Sequence, residues 1–417
     1  MTAPSGFTSV DQWALGTIHR ALGRPPIRLR CASGAEVSPA ATPPLGLIEF
    51  SDRAALWRVV FDPEVGFGEG YAQGRILVQG DLVSMLEAVS LVMPEPKQQN
   101  RWVRMVLRWM NLVQANTLSG ARKNIHRHYD LSNDFYSLWL DSQLVYSGAY
   151  FESQSATLEE AQSAKMDYIC RKLQLRPGER VVECGCGWGA MALHMAGHYG
   201  VSVRAFNISR QQLLLARQKA KETGLSRRVE FIEDDYRNIS GQADVFVSLG
   251  MLEHVGKEHY PEMGRVIERT LGKSGRGLLQ FVGRNHSQPL SPWIRKRIFP
   301  RAYVPTAGEV LAFLEPGDFS VFDVENLRPH YARTLEQWLE RFENSGEQVS
   351  KRFGPEFVRI WRLYLAQAIA GYRAGALQLF QVLFAGARCQ QTPWTRAHLY
   401  ESGRQTGTGS APVHRMP

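Results

Sequence analysis

The chain has no run of about 18 uninterrupted apolar residues, the length a helix needs to cross a bilayer, so no transmembrane helix is expected. Its first residues, Met-Thr-Ala-Pro-Ser-Gly, lack the charged and apolar regions of a signal peptide. Cysteine is scarce, with five in 417 residues and no C-x-x-C pair. This excludes a disulfide framework and points to reduced thiols in the cytosol. Cys184 and Cys186 have no second pair, so they read as packing residues and no metal site is expected. There is no Asn-Pro-Pro-Tyr motif of the base-flipping kind and no separate recognition domain, which sets nucleic acid aside as a substrate.

Acidic residues are also missing from one long stretch. Residues 96–128 hold Lys97, Arg101, Arg104, Arg108, Arg122, Lys123 and Arg127 but no Asp or Glu. Arg101, Arg104 and Arg108 share one helical face, and Trp102, Val106, Trp109 and Val113 share another. A basic face beside a tryptophan-rich face is the pattern of a helix lying on an anionic membrane. A solvated helix with its tryptophans in the core has the same pattern. The segment Trp293–Arg301 repeats the mix of cations and aromatics and favours the membrane. The net charge of +9 agrees with an anionic partner.

What is present is ordinary for a globular protein, with 44% hydrophobic and 21% charged residues. Four segments follow: an N-terminal domain over 1–94, a basic amphipathic linker helix over 95–128, a large domain over 129–401 and a disordered tail over 402–417. Residues 1–12 read as polar and mobile. Short β-like runs are expected at Ile27–Arg30, Leu45–Phe50 and Ala55–Phe61. From about residue 160 strands and helices alternate, with strands at 180–184, 201–207, 229–233, 243–249 and 276–282 and helices at 188–199, 209–223 and 259–271. This pattern predicts a doubly wound α/β domain with a mostly parallel sheet, whose ligands sit at the C-terminal strand ends.

The richest motif is Val-Val-Glu-Cys-Gly-Cys-Gly-Trp-Gly, residues 181–189. Two β-formers run into an acid and then into Gly185, Gly187 and Gly189. These lack side chains, so a ligand can lie against the backbone. The spacing E-x-G-x-G-x-G is that of the first loop of S-adenosylmethionine (SAM) methyltransferases. No carboxylate follows the second strand, so Asn207 and Gln212 are the candidates for the ribose hydroxyls. Asp235 and Tyr236 follow the third strand, where an acid can bond the adenine amino group and a ring can stack on the base. Glu253, at the exit of the fourth strand, should face the cleft as a proton acceptor or a partner for a cation. His254 reads as structural.

Two further segments carry a family resemblance. One is His128-Tyr129-Asp130-Leu131-Ser132-Asn133-Asp134-Phe135-Tyr136, followed by Tyr146-Ser147-Gly148-Ala149-Tyr150-Phe151. The other is Arg297-Ile298-Phe299-Pro300, followed by His330-Tyr331-Ala332-Arg333-Thr334-Leu335. With the glycine loop and Leu-Glu-His-Val-Gly, in this order over about residues 45–390, the chain resembles the cyclopropane fatty acid synthases. The mycolic-acid branch lacks the N-terminal domain, so the bacterial phospholipid-acting branch fits better. The resemblance implies a Rossmann-like SAM-dependent methyltransferase domain with a helical cap and a small N-terminal α+β, lipid-binding domain. It implies a substrate that is the cis double bond of an unsaturated acyl chain on an anionic membrane phospholipid. It places the protein in the cytoplasm, peripheral at the inner face of the membrane.

By the same resemblance Tyr146, Ser147, Gly185, Gly187, Asn207, Gln212, Asp235 and Tyr236 hold SAM, and Glu253 and Tyr331 surround a bicarbonate ion that removes the proton. The chain departs from the family at two further positions of that site. Gly148 replaces a cysteine, and Gln280 replaces a histidine and cannot be charged. These changes put bicarbonate in question, and with it the choice between a cyclopropane and a methyl-branched or methylene product, which a downstream reductase could saturate. A homodimer is common in the family. A small-molecule N- or O-methyltransferase and a catalytically silent lipid-binding homologue are the alternative readings.

Overall fold

The computed structural model describes residues 5–39, 43–92 and 132–400. The basic stretch 95–128 and the tail 402–417 lie outside the described residues.

The N-terminal part begins with helix Ser5–Ala21, so the segment expected to be mobile is helical from Ser5 onward. Asp11 on this helix is buried and pairs with Arg53 at 2.9 Å, which ties the helix down. A four-stranded sheet follows in the order β2-β1-β3-β4. Its strands are β1 (Arg28–Cys31), β2 (Glu36–Val37), β3 (Gly46–Phe50) and β4 (Ile76–Gly80). β1 and β3 run parallel and the other pairs antiparallel.

The run Ala55–Phe61, expected as a strand, belongs to helix Arg53–Phe61. Asp52 caps that helix by accepting the Ala55 N–H at 2.9 Å, and Ala55, Leu56 and Val59 form its buried face. A cap and a helical spacing of apolar residues outweigh the β-branched composition here. The glycine-rich segment is also a helix, Pro63–Ala72, started by Asp62 and Pro63. Its glycines serve contact: a Cβ on Gly68 would lie 2.4 Å from the Trp293 ring.

The large domain holds a seven-stranded sheet in the order β10-β11-β9-β8-β5-β6-β7. Its strands are β5 (Arg180–Cys184), β6 (Ser202–Asn207), β7 (Val229–Glu233), β8 (Val245–Leu249), β9 (Arg276–Gly283), β10 (Phe319–Asn326) and β11 (Gln378–Gly386). The strands from β7 across to β9 are mutually parallel, whereas β11 and β10 are antiparallel additions at one edge. β5 reads Arg-Val-Val-Glu-Cys and is buried after its first residue, as a central strand of a doubly wound sheet must be. Helices Ala190–Tyr199, Arg210–Glu222 and Tyr260–Leu271 cover the faces. The expected strands and helices of this domain fall within two residues of the observed ones.

A helical cap is built mainly from Arg328–Asn344, Gly346–Phe353 and Pro355–Arg373. It closes an aromatic core around Phe135, Trp139, Trp338 and Trp361, all at most 2% exposed. The second basic cluster belongs to the packing of this core. Trp293 is fully buried, and Arg297 grips buried Glu69 of the N-terminal part through its Nε at 2.8 Å. Lys296 lies 3.3 Å from the same carboxylate. These groups join the two parts of the protein, and the expectation that Trp293 and Arg297 face a membrane does not hold.

Candidate active site

The site grows from the C-terminal ends of β5, β6, β7 and β8. After β5 the chain turns through Gly185, Gly187 and Gly189, with φ of 85°, 53° and 82°. Such angles suit glycine alone at low cost. The three have different surroundings. A Cβ on Gly187 would meet open space, so this backbone is the part a ligand can approach. A Cβ on Gly189 would lie 2.6 Å from the Phe231 ring, so its bareness serves packing under the helix.

Asn207, at the end of β6, donates to the Gly187 carbonyl at 3.1 Å and to Gln212 Oε1 at 2.7 Å. The pair therefore braces the glycine loop. Asp235 is buried, and its two carboxylate oxygens take the Arg237 guanidinium at 2.7 and 2.9 Å. A carboxylate has lone pairs beyond those two bonds for a further donor. Arg237 also lies 5.4 Å from the centre of the Tyr236 ring.

The loop 145–148 closes the other side. Ser147 Oγ accepts from Lys165 Nζ at 3.1 Å, and its carbonyl accepts from Gln162 at 2.9 Å. Tyr146 and Tyr364 join their hydroxyls at 2.9 Å. Burial pushes the Tyr364 phenol up to about 12, so it remains protonated.

One cavity of about 490 Å³ gathers Tyr146, Ser147, Gly148, Glu253, Gln280 and Tyr331. It continues between the domains to Phe67, Leu86 and Val89 and on to Ile18, Leu29 and Ile48 of the N-terminal core. A pocket of this size with few polar groups suits an apolar ligand. Gly185, Gly187, Asn207, Gln212, Asp235 and Tyr236 stand outside this cavity, at the neighbouring strand ends.

Glu253 is 7% exposed. Its Oε1 accepts the Val282 N–H at 2.6 Å, whereas Oε2 is buried with no hydrogen-bond partner among the described residues. Burial pushes this carboxyl up to about 7, against the Val282 hydrogen bond. His254 beside it is pushed down to about 4 by burial and stands edge-on to Phe299 at 5.7 Å. Gln280 is buried, and its Oε1 accepts from Gln381 at 2.9 Å. A Cβ on Gly148 would lie 2.7 Å from Leu379 Cδ2 and 3.0 Å from Tyr331 Cγ. Leu379 and the Tyr331 ring thus fill the space a side chain at 148 would need.

Three polar residues that the sequence did not single out belong to this site. Lys165, Asp141 and Gln162 are each at most 1% exposed. Gln162 and Lys165 fall three apart on the buried face of helix Leu158–Leu173, among Ala161, Met166 and Ile169. Polar residues at core positions of an amphipathic helix are the signal that would have found two of them.

A doubly wound sheet with an open glycine backbone after its first parallel strand, beside a cleft holding a buried carboxylate, defines a SAM-dependent methyltransferase. The chain belongs to the mycolic acid cyclopropane synthetase family, whose sequence pattern matches residues 116–382. It is 35% identical over 331 residues to the cyclopropane-fatty-acyl-phospholipid synthase of Escherichia coli K12, covering 79% of this chain and 85% of that one. It is 36% identical over 290 residues to a probable fatty acid methyltransferase of Pseudomonas putida, covering 66% and 73%. Among solved structures it is similar to mycolic acid cyclopropane synthase CmaA1 complexed with SAH and CTAB. That match has a TM-score of 0.60 and 30% identity over 63% of this chain and 97% of that one.

Proposed function

We propose that the protein transfers a methyl group to the cis double bond of unsaturated acyl chains on anionic membrane phospholipids. The observation that carries this reading is the cavity, which leads from Glu253 through an apolar passage into the N-terminal core. A soluble amine or hydroxyl acceptor has no use for such a passage. Relatives named for fatty acyl phospholipids and fatty acids support the same class.

The residues have distinct tasks in this reading. Gly185, Gly187, Asn207 and Gln212 hold the nucleoside part of SAM, Asp235 and Tyr236 its adenine, and Tyr146 and Ser147 its amino-acid end. When bound, SAM supplies an electrophilic methyl group. Its transfer to one alkene carbon leaves a cation on the other. Tyrosine rings line the cavity, and aromatic rings attract a cation over their faces.

One proton must then leave. Loss from the new methyl group closes a cyclopropane ring. Loss from the neighbouring chain carbon leaves a methyl-branched or methylene product. The site offers bicarbonate less than the family pattern does: Gly148 has no side chain, Tyr331 and Leu379 fill its space, and Gln280, whose oxygen accepts from Gln381, brings only a neutral amide N–H as donor. The proton goes instead to the unpartnered oxygen of Glu253, and the product is the branched chain. A reductase would be the partner that saturates it. The protein acts from the cytoplasm, peripheral at the inner face of the membrane. No helix among the described residues is long and apolar enough to cross one.

The test is incubation of the full chain with SAM and vesicles of an unsaturated anionic phospholipid, followed by mass spectrometry of the acyl chains. A gain of one CH₂ is expected, and cleavage at the remaining double bond should place a branch. A saturated ring whose amount depends on Glu253 overturns the branched product. No gain from lipid, with SAM bound, overturns the acceptor.

A further inference from the structure

Lys165 is 1% exposed, yet among the described residues it makes one hydrogen bond, to Ser147 Oγ at 3.1 Å. Asp141 and Glu183 are the anionic groups that act on it, and no ion pair of Lys165 occurs among the described residues. Asp141 spends its oxygens on the backbone N–H groups of Gln143 and Val145, at 2.9 and 2.8 Å. Glu183 Oε2 is buried with no partner among the described residues. Burial pushes Lys165 down to about 8 and Glu183 up to about 8. A buried ammonium without an ion-paired counter-charge costs several kcal/mol.

The hydrogen-bond chemistry fixes a direction. An ammonium has three protons to give and no lone pair to receive one. Ser147 Oγ must therefore accept from Lys165, which leaves the single Ser147 proton to point elsewhere. Ser147 lines the cavity, and Gln162 and Asp141 hold its loop from two sides. The result is a fixed hydroxyl donor facing the cleft with a cation behind it. Such a donor fits an anion.

We infer that Lys165 is a positioning residue for the α-carboxylate of the cofactor, acting through the Ser147 hydroxyl. This rests on the reading of the cleft as a SAM site. The carboxylate is the one anionic group SAM carries, and it adds negative charge near a buried cation that has no ion pair among the described residues. The inference separates recognition of the amino-acid end from recognition of the adenosine end.

Calorimetric binding of two ligands to the full chain tests it. S-adenosylhomocysteine has the amino-acid end, whereas 5′-methylthioadenosine has the adenosine and sulfur without it. Lys165→Met should weaken S-adenosylhomocysteine by about tenfold or more and leave methylthioadenosine unchanged, as expected for a lost charge-assisted bond. Ser147→Ala should show the same selective loss, and the double variant should lose little more. Equal losses for both ligands, or none for either, overturn the inference. If Lys165→Met does not fold, Ser147→Ala decides by the same criterion. Wild-type protein that binds neither ligand overturns the SAM reading itself.

Discussion

The two ends of the cavity differ in kind. The far end lies in the N-terminal core among Ile18, Leu29, Ile48 and Val59. The near end holds Glu253, Gln280 and Tyr331, and it keeps a carboxylate oxygen without a partner among the described residues. Aliphatic walls are non-directional, so under the proposed function the far end senses how much chain enters. The near end senses where charge and protons are. Under the proposed function, length selection and chemistry fall to different domains.

The sharpest way to break this contrast is Glu253→Gln. It keeps the shape of the near end and removes the base. Turnover should fall on the order of 10²- to 10⁴-fold while S-adenosylhomocysteine affinity stays unchanged. Product formation by mass spectrometry and binding calorimetry read the two effects. In the wild type the rate should rise with pH through about 7, as Glu253 loses its proton, and then level. The stability effect has the opposite sign. Between the ordinary glutamate range and about 7 the folded protein keeps a proton that the unfolded chain has released. Wild-type stability should therefore fall as pH rises across that window, and Glu253→Gln should be spared this contribution. Thermal melts at two pH values measure it.

The far end is tested by Val89→Trp, which fills half-buried space on the wall of the passage that leads to it. It should lower kcat/KM for long chains by about tenfold and spare shorter ones. A uniform loss across chain lengths would merge the two ends into one function. Gly148→Ala probes the near end with a single methyl, which pushes on Leu379 and the Tyr331 ring. Turnover should drop by about tenfold with long and short chains affected alike. The smallest effect is expected at the seam between the ends. Arg297→Ala leaves Glu69 without its main partner and should cost about 1–3 kcal/mol of stability, read as a lower Tm. The figure is modest because Arg297 is 28% exposed.

The large domain was legible because its strands are short apolar runs, each closed by a turn signal. Glycine spacing located the first strand end, and strand order then located Glu253. The N-terminal part was harder to read. Trp57, Val59, Val60 and Phe61 have strand composition, but Asp52 caps them into a helix. The glycines at 66, 68 and 70 resemble a loop until their neighbours are known. Gly189 looked like part of the ligand cradle, yet Phe231 is its reason. Lys165 carried a signal in its core-facing helix position, but its contact with Ser147 spans 18 residues of chain; Asp141, which holds the backbone N–H groups of Gln143 and Val145, carried none. Trp293 and Arg297 had the composition of a membrane face and turned out to serve the seam.

That seam has an evolutionary corollary. Gly68 lets the Trp293 ring sit against helix Pro63–Ala72, and Arg297 clasps Glu69 one residue along. The joint is local, and the passage for the chain crosses it. A recombination event that exchanged the first 92 residues for those of a relative, and kept this joint, would hand the enzyme a new ruler with its old chemistry. Diversity in lipid length could then arise by shuffling rather than by mutation of the reaction centre.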